Sequence, residues 1–354
     1  MTVAEASPAV ASEQGPAPDT IWGAGSLGQL GEVCSQVGAG RVMAVAGQSA
    51  DAAVGRLPAL LGRRYLGRWS DVPAHVPAHT ANLAVGSAQE THADAIVAIG
   101  GGSATGLAKI VALALRLPLI AVPTTYCGAE MTSRYLVTTG KGAETGTSPR
   151  VLPAAVIYDA DLLPADQRVS VTGIIALAHC LEALSYPGVP AEARDSAHEG
   201  LLLLWESLPA IAAGAADLRC RRDALTGASM AGRAHQVAGP GLLHLLCDQA
   251  AARHHVSYAV LAAILLPAVL RAHGPRADRA RTALGDLHPG VSPEQALEQF
   301  TAAVGVTTSI DQLGLRAGLT ALTELVSTLP GSAPGRVTSA TVGRLQAILA
   351  TSGE

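Results

Sequence analysis

The chain has 354 residues, of which 49% are hydrophobic and 3% aromatic, and its formal net charge at pH 7 is −4. This length suits one large domain or two medium domains, each with a core built mainly from Ala, Leu and Val. The sequence contains no basic patch with interleaved aromatic residues, which argues against nucleic acid as a partner.

The five cysteines are odd in number and contain no CxxC pair. This pattern supports neither a disulfide framework nor a thiolate zinc site, and it fits a reducing cytoplasm. Residues 1–19 have neither a basic start nor an apolar run, so we predict a disordered leader rather than a signal peptide. The longest apolar run, 258–270, is too short to span a bilayer and predicts a buried helix, so no membrane partner is expected.

Short apolar runs alternate with helical patterns in the first half of the chain. Strands are predicted within RVMAVAG (41–47), at the start of 94–115, within LPLIAVPTTY (117–126) and within AAVIYDADLL (154–163). Nearly continuous apolar strands that alternate with helices are typical of a parallel sheet covered on both faces. We therefore predict an α/β domain over residues 20–166.

The second half, from about Val169, consists of long Ala- and Leu-rich segments with helical spacing. Helices are predicted at 170–187, 192–214, 218–233, 239–254 and 257–273, with further helices towards the C-terminus. Because no strand pattern remains, residues 167–354 are predicted to form an all-helical domain.

Two glycine motifs compete as phosphate-binding turns. GAGSLG (23–28) fits GxGxxG, but no long strand precedes it and no acidic residue follows at the spacing of a ribose ligand, so we interpret it as structural. The second motif, within 96–109, follows a predicted strand and opens a helix, and its turn contains Gly100, Gly101, Gly102 and Ser103. Such a turn lets the backbone approach a phosphate at the positive end of the helix dipole, although a purely structural turn is the alternative.

A second polar turn, PTTYCGAEMTS (123–133), also follows an apolar strand. It places Thr124, Thr125 and Tyr126 at the carboxyl end of that strand, where open α/β sheets bind their ligands. The two turns together favour nucleotide binding over a purely structural role for the glycine turn.

These turns resemble the iron-containing alcohol dehydrogenase superfamily, specifically its maleylacetate reductase branch. AIGGGSATGLAK, PTTYCGAEMT and PRVLPAAVIYD are similar to successive segments of that branch, and VTGIIALAHCLEAL (171–184) is similar to its first helical metal segment. The resemblance implies a Rossmann-like dinucleotide-binding domain, a helical domain, a nicotinamide cofactor in the cleft between them and a homodimer. The segment AVAGQSA (44–50) has no acidic residue for a ribose diol, so a preference for NADH over NADPH is not supported, and NADPH or no cofactor at all would fit.

The resemblance also implies where metal ligands would lie. Metal-dependent members carry an Asp and a His four residues apart on one helix, and two further His on a later segment. Here Ile175 stands at the acidic position, His179 and His244 match two histidines, and Tyr258 stands at the third. Since Ile has no donor atom and a Tyr phenol is a poor ligand for a divalent ion, we expect no tightly bound catalytic metal.

Two alternatives remain for these positions. A register shift of one helical turn would bring His254 or His255 to the third ligand position, but Pro240 would then replace the second histidine. Alternatively, His179 and His244 are hydrogen-bonded residues of a helical core.

Without a metal, hydride transfer to a carbonyl needs another group to stabilise the developing oxyanion. The resemblance brings His179, His244 and Tyr258 together, and it places Asp248 where the family has a histidine near the nicotinamide. We therefore predict that Asp248, one helical turn after His244, orients that imidazole, and that His244 and Tyr258 act as acid and base.

Three functions remain open at this point. Ala143 and Thr147 occupy positions where the reductase branch tends to carry basic residues, which argues against a diacid substrate such as maleylacetate. The first function is a metal-independent, NAD(P)H-dependent reductase of an activated C=C or C=O in specialised metabolism. The second is a non-redox lyase, isomerase or cyclase that reuses the fold, and the third is a binding-only homologue. The two polar turns favour the reductase.

Overall fold

The structure, a computed structural model, describes residues 16–164, 166–315 and 337–351, with the single positions 318, 321 and 323. The chain divides into two compact units, Met1–Pro164 and Ala165–Glu354, whereas the sequence analysis set the boundary after residue 166. Of the predicted leader, residues 1–15 lie outside the described part, and Asp19 already belongs to the first strand.

The first unit is built on a parallel sheet. Its strands are β1 (Asp19–Trp22), β2 (Val42–Val45), β3 (Tyr65–Trp69), β4 (Ala95–Gly100), β5 (Leu119–Pro123), β6 (Arg134–Thr139), β7 (Gly142–Thr147) and β8 (Ala155–Tyr158). Six of them form one sheet in the order β1-β8-β5-β4-β2-β3, and all pairings in it are parallel. β6 and β7 form a separate antiparallel hairpin. The predicted α/β architecture is confirmed.

Helices cover both faces of this sheet. They are α1 (Leu30–Gln36), α2 (Asp51–Val54), α3 (Leu57–Leu61), α4 (Ala78–Glu90) and α5 (Gly102–Leu115). In β4, Val97 and Ile99 belong to a core cluster shared with α1 and α3, while Ile96 and Ala98 belong to a second cluster shared with α4 and α5. Burial on both faces explains why the strand is apolar at every position rather than at alternate ones.

The described part of the second unit contains helices and no strand. Its helices are α6 (Gln167–Ser185), α7 (Ala191–Ala212), α8 (Leu218–Ala238), α9 (Leu242–His254), α10 (Tyr258–His273), α11 (Asp278–Leu287), α12 (Pro293–Val304) and α13 (Ser339–Thr351). Trp205 of α7 stacks on Phe300 of α12 with ring centroids 4.3 Å apart. The predicted helical domain is confirmed.

Two stretches, Gln167–Ser185 and Tyr258–Leu287, are long and apolar enough to cross a membrane by length and composition alone. Their most apolar windows are, however, 72% and 61% buried inside the protein. This burial is typical of core helices in a globular unit, and it agrees with the buried helix predicted for the run 258–270.

Candidate functional site

The glycine turn joins β4 to α5. β4 ends at Gly100, Gly101 is the N-cap residue, and α5 begins with Gly102 and Ser103. No side chain among the described residues caps this helix. The amide groups of its first turn and the positive end of its dipole therefore meet no capping side chain, an arrangement suited to an anion.

The PTTY turn lies beside the glycine turn. β4 and β5 are neighbours in the sheet, with Gly100 opposite Pro123, and the amide of Thr124 donates to the carbonyl oxygen of Gly100 at 3.0 Å. Thr124 and Thr125 thus lie next to the glycines, in the arrangement that the sequence predicts. Tyr126 is fully buried, and its contact with a cofactor stays a prediction.

Gly101 has no room for a side chain. A Cβ at this position would lie 2.7 Å from Cγ2 and 2.8 Å from Oγ1 of Thr125. We expect Gly101→Ala to lower the free energy of unfolding by about 1–3 kcal/mol, because the added methyl displaces Thr125, and to weaken nucleotide binding. Urea denaturation and a nucleotide titration measure the two effects.

Gly86 is the matched control for this substitution, since it lies inside α4 and a Cβ there meets no atom within 4 Å. Gly86→Ala should leave the protein at least as stable as the wild type, because alanine favours a helix interior. Equal stability and equal nucleotide affinity of the two variants would contradict the assignment of Gly101.

The other glycine motif holds an internal carboxylate. Asp159, which follows β8, accepts hydrogen bonds from the amides of Gly25 at 2.9 Å and Leu27 at 3.0 Å. Because these amides are already satisfied by a side chain of the same unit, GAGSLG is a structural turn, as its sequence context indicates.

A buried lysine lies behind the glycine turn. The Lys109 ammonium, on α5, donates to the carbonyl oxygens of Ala129 at 2.8 Å, Thr132 at 2.6 Å and Arg134 at 3.0 Å. Burial lowers the pKa of Lys109 to about 7, although the neighbouring Glu130 opposes this shift. The lysine thus links α5 to the segment that follows the PTTY turn.

Three buried histidines of the second unit lie together, and we call His179, His235 and His244 the histidine cluster. They come from α6, α8 and α9, and none is more than 5% exposed. The ring centroid of His179 lies 4.1 Å from that of His235 and 4.5 Å from that of His244. One ring nitrogen of each histidine lies within 4.8 Å of the other two. This donor set fits a divalent transition metal, for which neutral imidazole is a preferred ligand.

Glu182 anchors one member of the cluster. Its buried carboxylate accepts from the amides of Gly241 and Leu243, each at 3.1 Å, and from Nδ1 of His244 at 2.6 Å. Burial raises the pKa of Glu182, but His244 above all, with His273, outweighs burial and lowers it. Glu182 is therefore a carboxylate that both caps the N-terminus of α9 and orients the His244 ring.

The predicted contact between Asp248 and His244 is wrong. Glu182 takes Nδ1 of His244, and Nε2 of that ring is buried with no hydrogen-bond partner in the described part of the chain. Asp248 is itself buried further along α9. A spacing of one helical turn favours an acidic residue on the same helix, whereas the orienting carboxylate comes from α6.

The other predicted residues divide into two groups. The hydroxyl of Tyr258 donates to the backbone oxygen of His244 at 3.3 Å, so these two residues do lie together. His254 and His255, at the end of α9, are exposed and stand apart from the histidine cluster. A shifted register that recruits them is therefore not the arrangement of this chain.

Sequence reasoning missed His235. It lies nine positions before His244 (244 − 235), on a different helix, so no i, i+4 spacing marks the pair. The connection Gly239–Pro240–Gly241 separates α8 from α9, and Gly239 has a φ of +70°. A glycine-containing break that follows one histidine and precedes another is the signal that could have suggested their proximity.

Comparisons with known proteins agree with the resemblance inferred from the sequence. The family model described as iron-containing alcohol dehydrogenase matches residues 17–160, and the one described as Fe-containing alcohol dehydrogenase family, C-terminal, matches 169–334. A maleylacetate reductase of Burkholderia cepacia is 36% identical over 304 residues, which are 84% of this chain and 85% of that protein. One of Pseudomonas sp. strain P51 is 34% identical over 313 residues, 87% of this chain and 89% of that protein.

Solved structures give the same picture. The crystal structure of maleylacetate reductase from Rhizobium sp. strain MTP-10005 matches with a TM-score of 0.80 and 31% identity, over 96% of this chain and 97% of that one. A putative alcohol dehydrogenase from Ralstonia eutropha JMP134 matches with a TM-score of 0.83 and 30% identity, over 96% of both chains.

Proposed function

Since the chain belongs to the iron-containing alcohol dehydrogenase family and is an oxidoreductase-like enzyme, we propose that it is an NAD(P)H-dependent reductase of a small metabolite. The observation that carries this proposal is the anion-binding turn at the uncapped N-terminus of α5. A dinucleotide pyrophosphate is the ligand that such a turn after a parallel strand recognises. The maleylacetate reductases among the relatives support the same class of reaction.

A reduced nicotinamide held at this turn would supply a hydride to the carbon of an activated C=O or C=C. The displaced electron pair moves to oxygen, or to the adjacent carbon through an enolate, and a protein group supplies the proton. Tyr258, whose hydroxyl lies next to His244, is suited to supply that proton. Glu182 fixes Nδ1 of His244 and leaves its Nε2 available as a ligand.

The expectation of a metal-independent enzyme counted only two ligands, His179 and His244. The position of His235 raises the number of clustered imidazoles to three, so metal independence is no longer part of our proposal. A metal ion held by these residues would polarise the substrate oxygen.

The hairpin of the first unit bears on the charge of the substrate. Ala143 and Thr147 both lie on β7, where Ala143 is opposite Thr138 and Thr147 is opposite Arg134. Without basic side chains at those two positions, we propose a substrate with less negative charge than a dicarboxylate. We place the enzyme in the cytoplasm, as a homodimer in specialised metabolism, with neither nucleic acid nor membrane as a partner.

The test is a fluorescence titration of the purified protein with NADPH and with NADH, each with and without added divalent metal. We expect saturable binding of one reduced cofactor in the micromolar range, weakened in Gly101→Ala and unchanged in Gly86→Ala. Binding of neither cofactor would overturn the proposal and favour the non-redox lyase, isomerase or cyclase.

Turnover identifies the reacting residues. A panel of enones and ketones should be reduced with oxidation of the bound nicotinamide, and His244→Ala should lose most of the activity. Full turnover by His179→Ala and His244→Ala would exclude the histidine cluster from the reaction.

A further inference from the structure

We propose that the histidine cluster binds one divalent transition-metal ion and that His235 is the ligand that completes the site. This goes beyond the ligand positions implied by the family, because His235 occupies none of them. In the family's ligand set, two positions are occupied here by Ile175 and Tyr258. In the proposed site, three imidazoles from three different helices replace that ligand set.

The geometry brings the three donors close enough for one ion. One ring nitrogen of each histidine lies within 4.8 Å of the others, and tetrahedral zinc holds its nitrogen ligands roughly 3.3 Å apart. Binding one ion therefore requires the three nitrogens to approach one another by at most about 1.5 Å, through rotation of the side chains.

The histidine cluster also has the supporting partner that metal-binding histidines use. A ligating imidazole almost always donates its other N–H to a carboxylate or carbonyl, which fixes the tautomer. Glu182 takes this role for His244: it accepts from Nδ1 at 2.6 Å and leaves the Nε2 lone pair directed away from the carboxylate. Buried Nε2 has no hydrogen-bond partner among the residues that the structure describes.

The backbone directly before α9 leaves room for Glu182 to hold the His244 ring. A Cβ on Gly241 would lie 1.8 Å from the hydroxyl oxygen of Tyr186 and 2.6 Å from Oε1 of Glu182. Only glycine fits there, directly before the helix that carries His244. Three protein nitrogens leave a fourth position for water or substrate, which is the pattern of a catalytic rather than a structural metal site.

The experiment measures metal binding directly, in the absence of nucleotide and substrate, so that its outcome is independent of the reductase proposal. The full-length protein is stripped with a chelator and titrated with Zn²⁺ and with Co²⁺. Mass spectrometry gives the metal content, and the visible absorption of Co²⁺ reports its ligands. We expect one ion per chain and an absorption band typical of tetrahedral Co²⁺.

The decisive variant is His235→Ala, with His198→Ala as its control, because His198 is exposed on α7. We expect His198→Ala to bind like the wild type and His235→Ala to bind on the order of 100-fold more weakly or worse, with a changed Co²⁺ spectrum. If His235→Ala does not fold, His235→Asn is measured in its place. Wild-type protein that binds no stoichiometric metal, or a folded His235 variant with unchanged affinity and spectrum, would overturn the proposal.

Discussion

Replacing Lys109 by Met is expected to lower the free energy of unfolding by about 2–4 kcal/mol. The substitution keeps the aliphatic stem but removes the donor that serves the carbonyl oxygens of Ala129, Thr132 and Arg134, and buried acceptors without a donor are costly. Urea denaturation followed by circular dichroism measures the loss. Lys141→Met, at an exposed position of the hairpin, should change stability by less than about 0.5 kcal/mol.

The same lysine predicts a pH dependence of stability. Burial lowers the pKa of Lys109 in the folded protein to about 7 from 10.5. Between these values the unfolded chain binds this proton and the folded chain does not, so the contribution of Lys109 to stability rises with pH. The difference in unfolding free energy between wild type and Lys109→Met should therefore grow from pH 7 to pH 9.5 or so. A difference that stays constant would show that Lys109 keeps its proton throughout.

Replacing Glu182 by Ala is expected to have the largest effect in the helical unit, about 3–5 kcal/mol of unfolding free energy. It removes the acceptor of two amides at the start of α9 and of the His244 ring, and breaking a buried charged network leaves its partners unsatisfied. Glu182→Gln should lose less unfolding free energy, since its one amide oxygen can still accept a hydrogen bond. Thermal and urea unfolding measure both variants.

Glu206→Ala provides the control, because Glu206 is exposed on α7. We expect no more than about 0.5 kcal/mol of change for it. If Glu182→Gln proved as stable as the wild type, the carboxylate would not be the acceptor that holds α9, and the orientation of His244 would need another explanation.

The sequence predicted the central strands well and the edge strands poorly. β2, β4, β5 and β8 are buried at every position, so each is a continuous apolar run in the sequence. The edge strands β1 and β3 are only partly buried, and neither is a continuous apolar run. Their pairing depends on a neighbour that is already in place, which no local pattern reveals.

The candidate site shows the same division between local and tertiary information. The glycine turn could be predicted because its strand, glycines and helix are consecutive in the chain. The histidine cluster could not, because α6, α8 and α9 meet only through helix packing. For the same reason Asp248, on the helix of His244, was predicted to orient that ring, whereas the orienting carboxylate is Glu182, which is distant in sequence and adjacent in space.

The stack of Trp205 on Phe300 gives the helical unit its own optical signal. The chain has three tryptophans, and the other two, Trp22 and Trp69, lie on strands of the first unit. With both of those replaced by Phe, the remaining emission would come from the helical unit alone, while far-ultraviolet circular dichroism still reports on the whole chain. Coincident unfolding curves from the two signals would mean that the units melt as one cooperative block, and separated curves would give each unit a stability of its own.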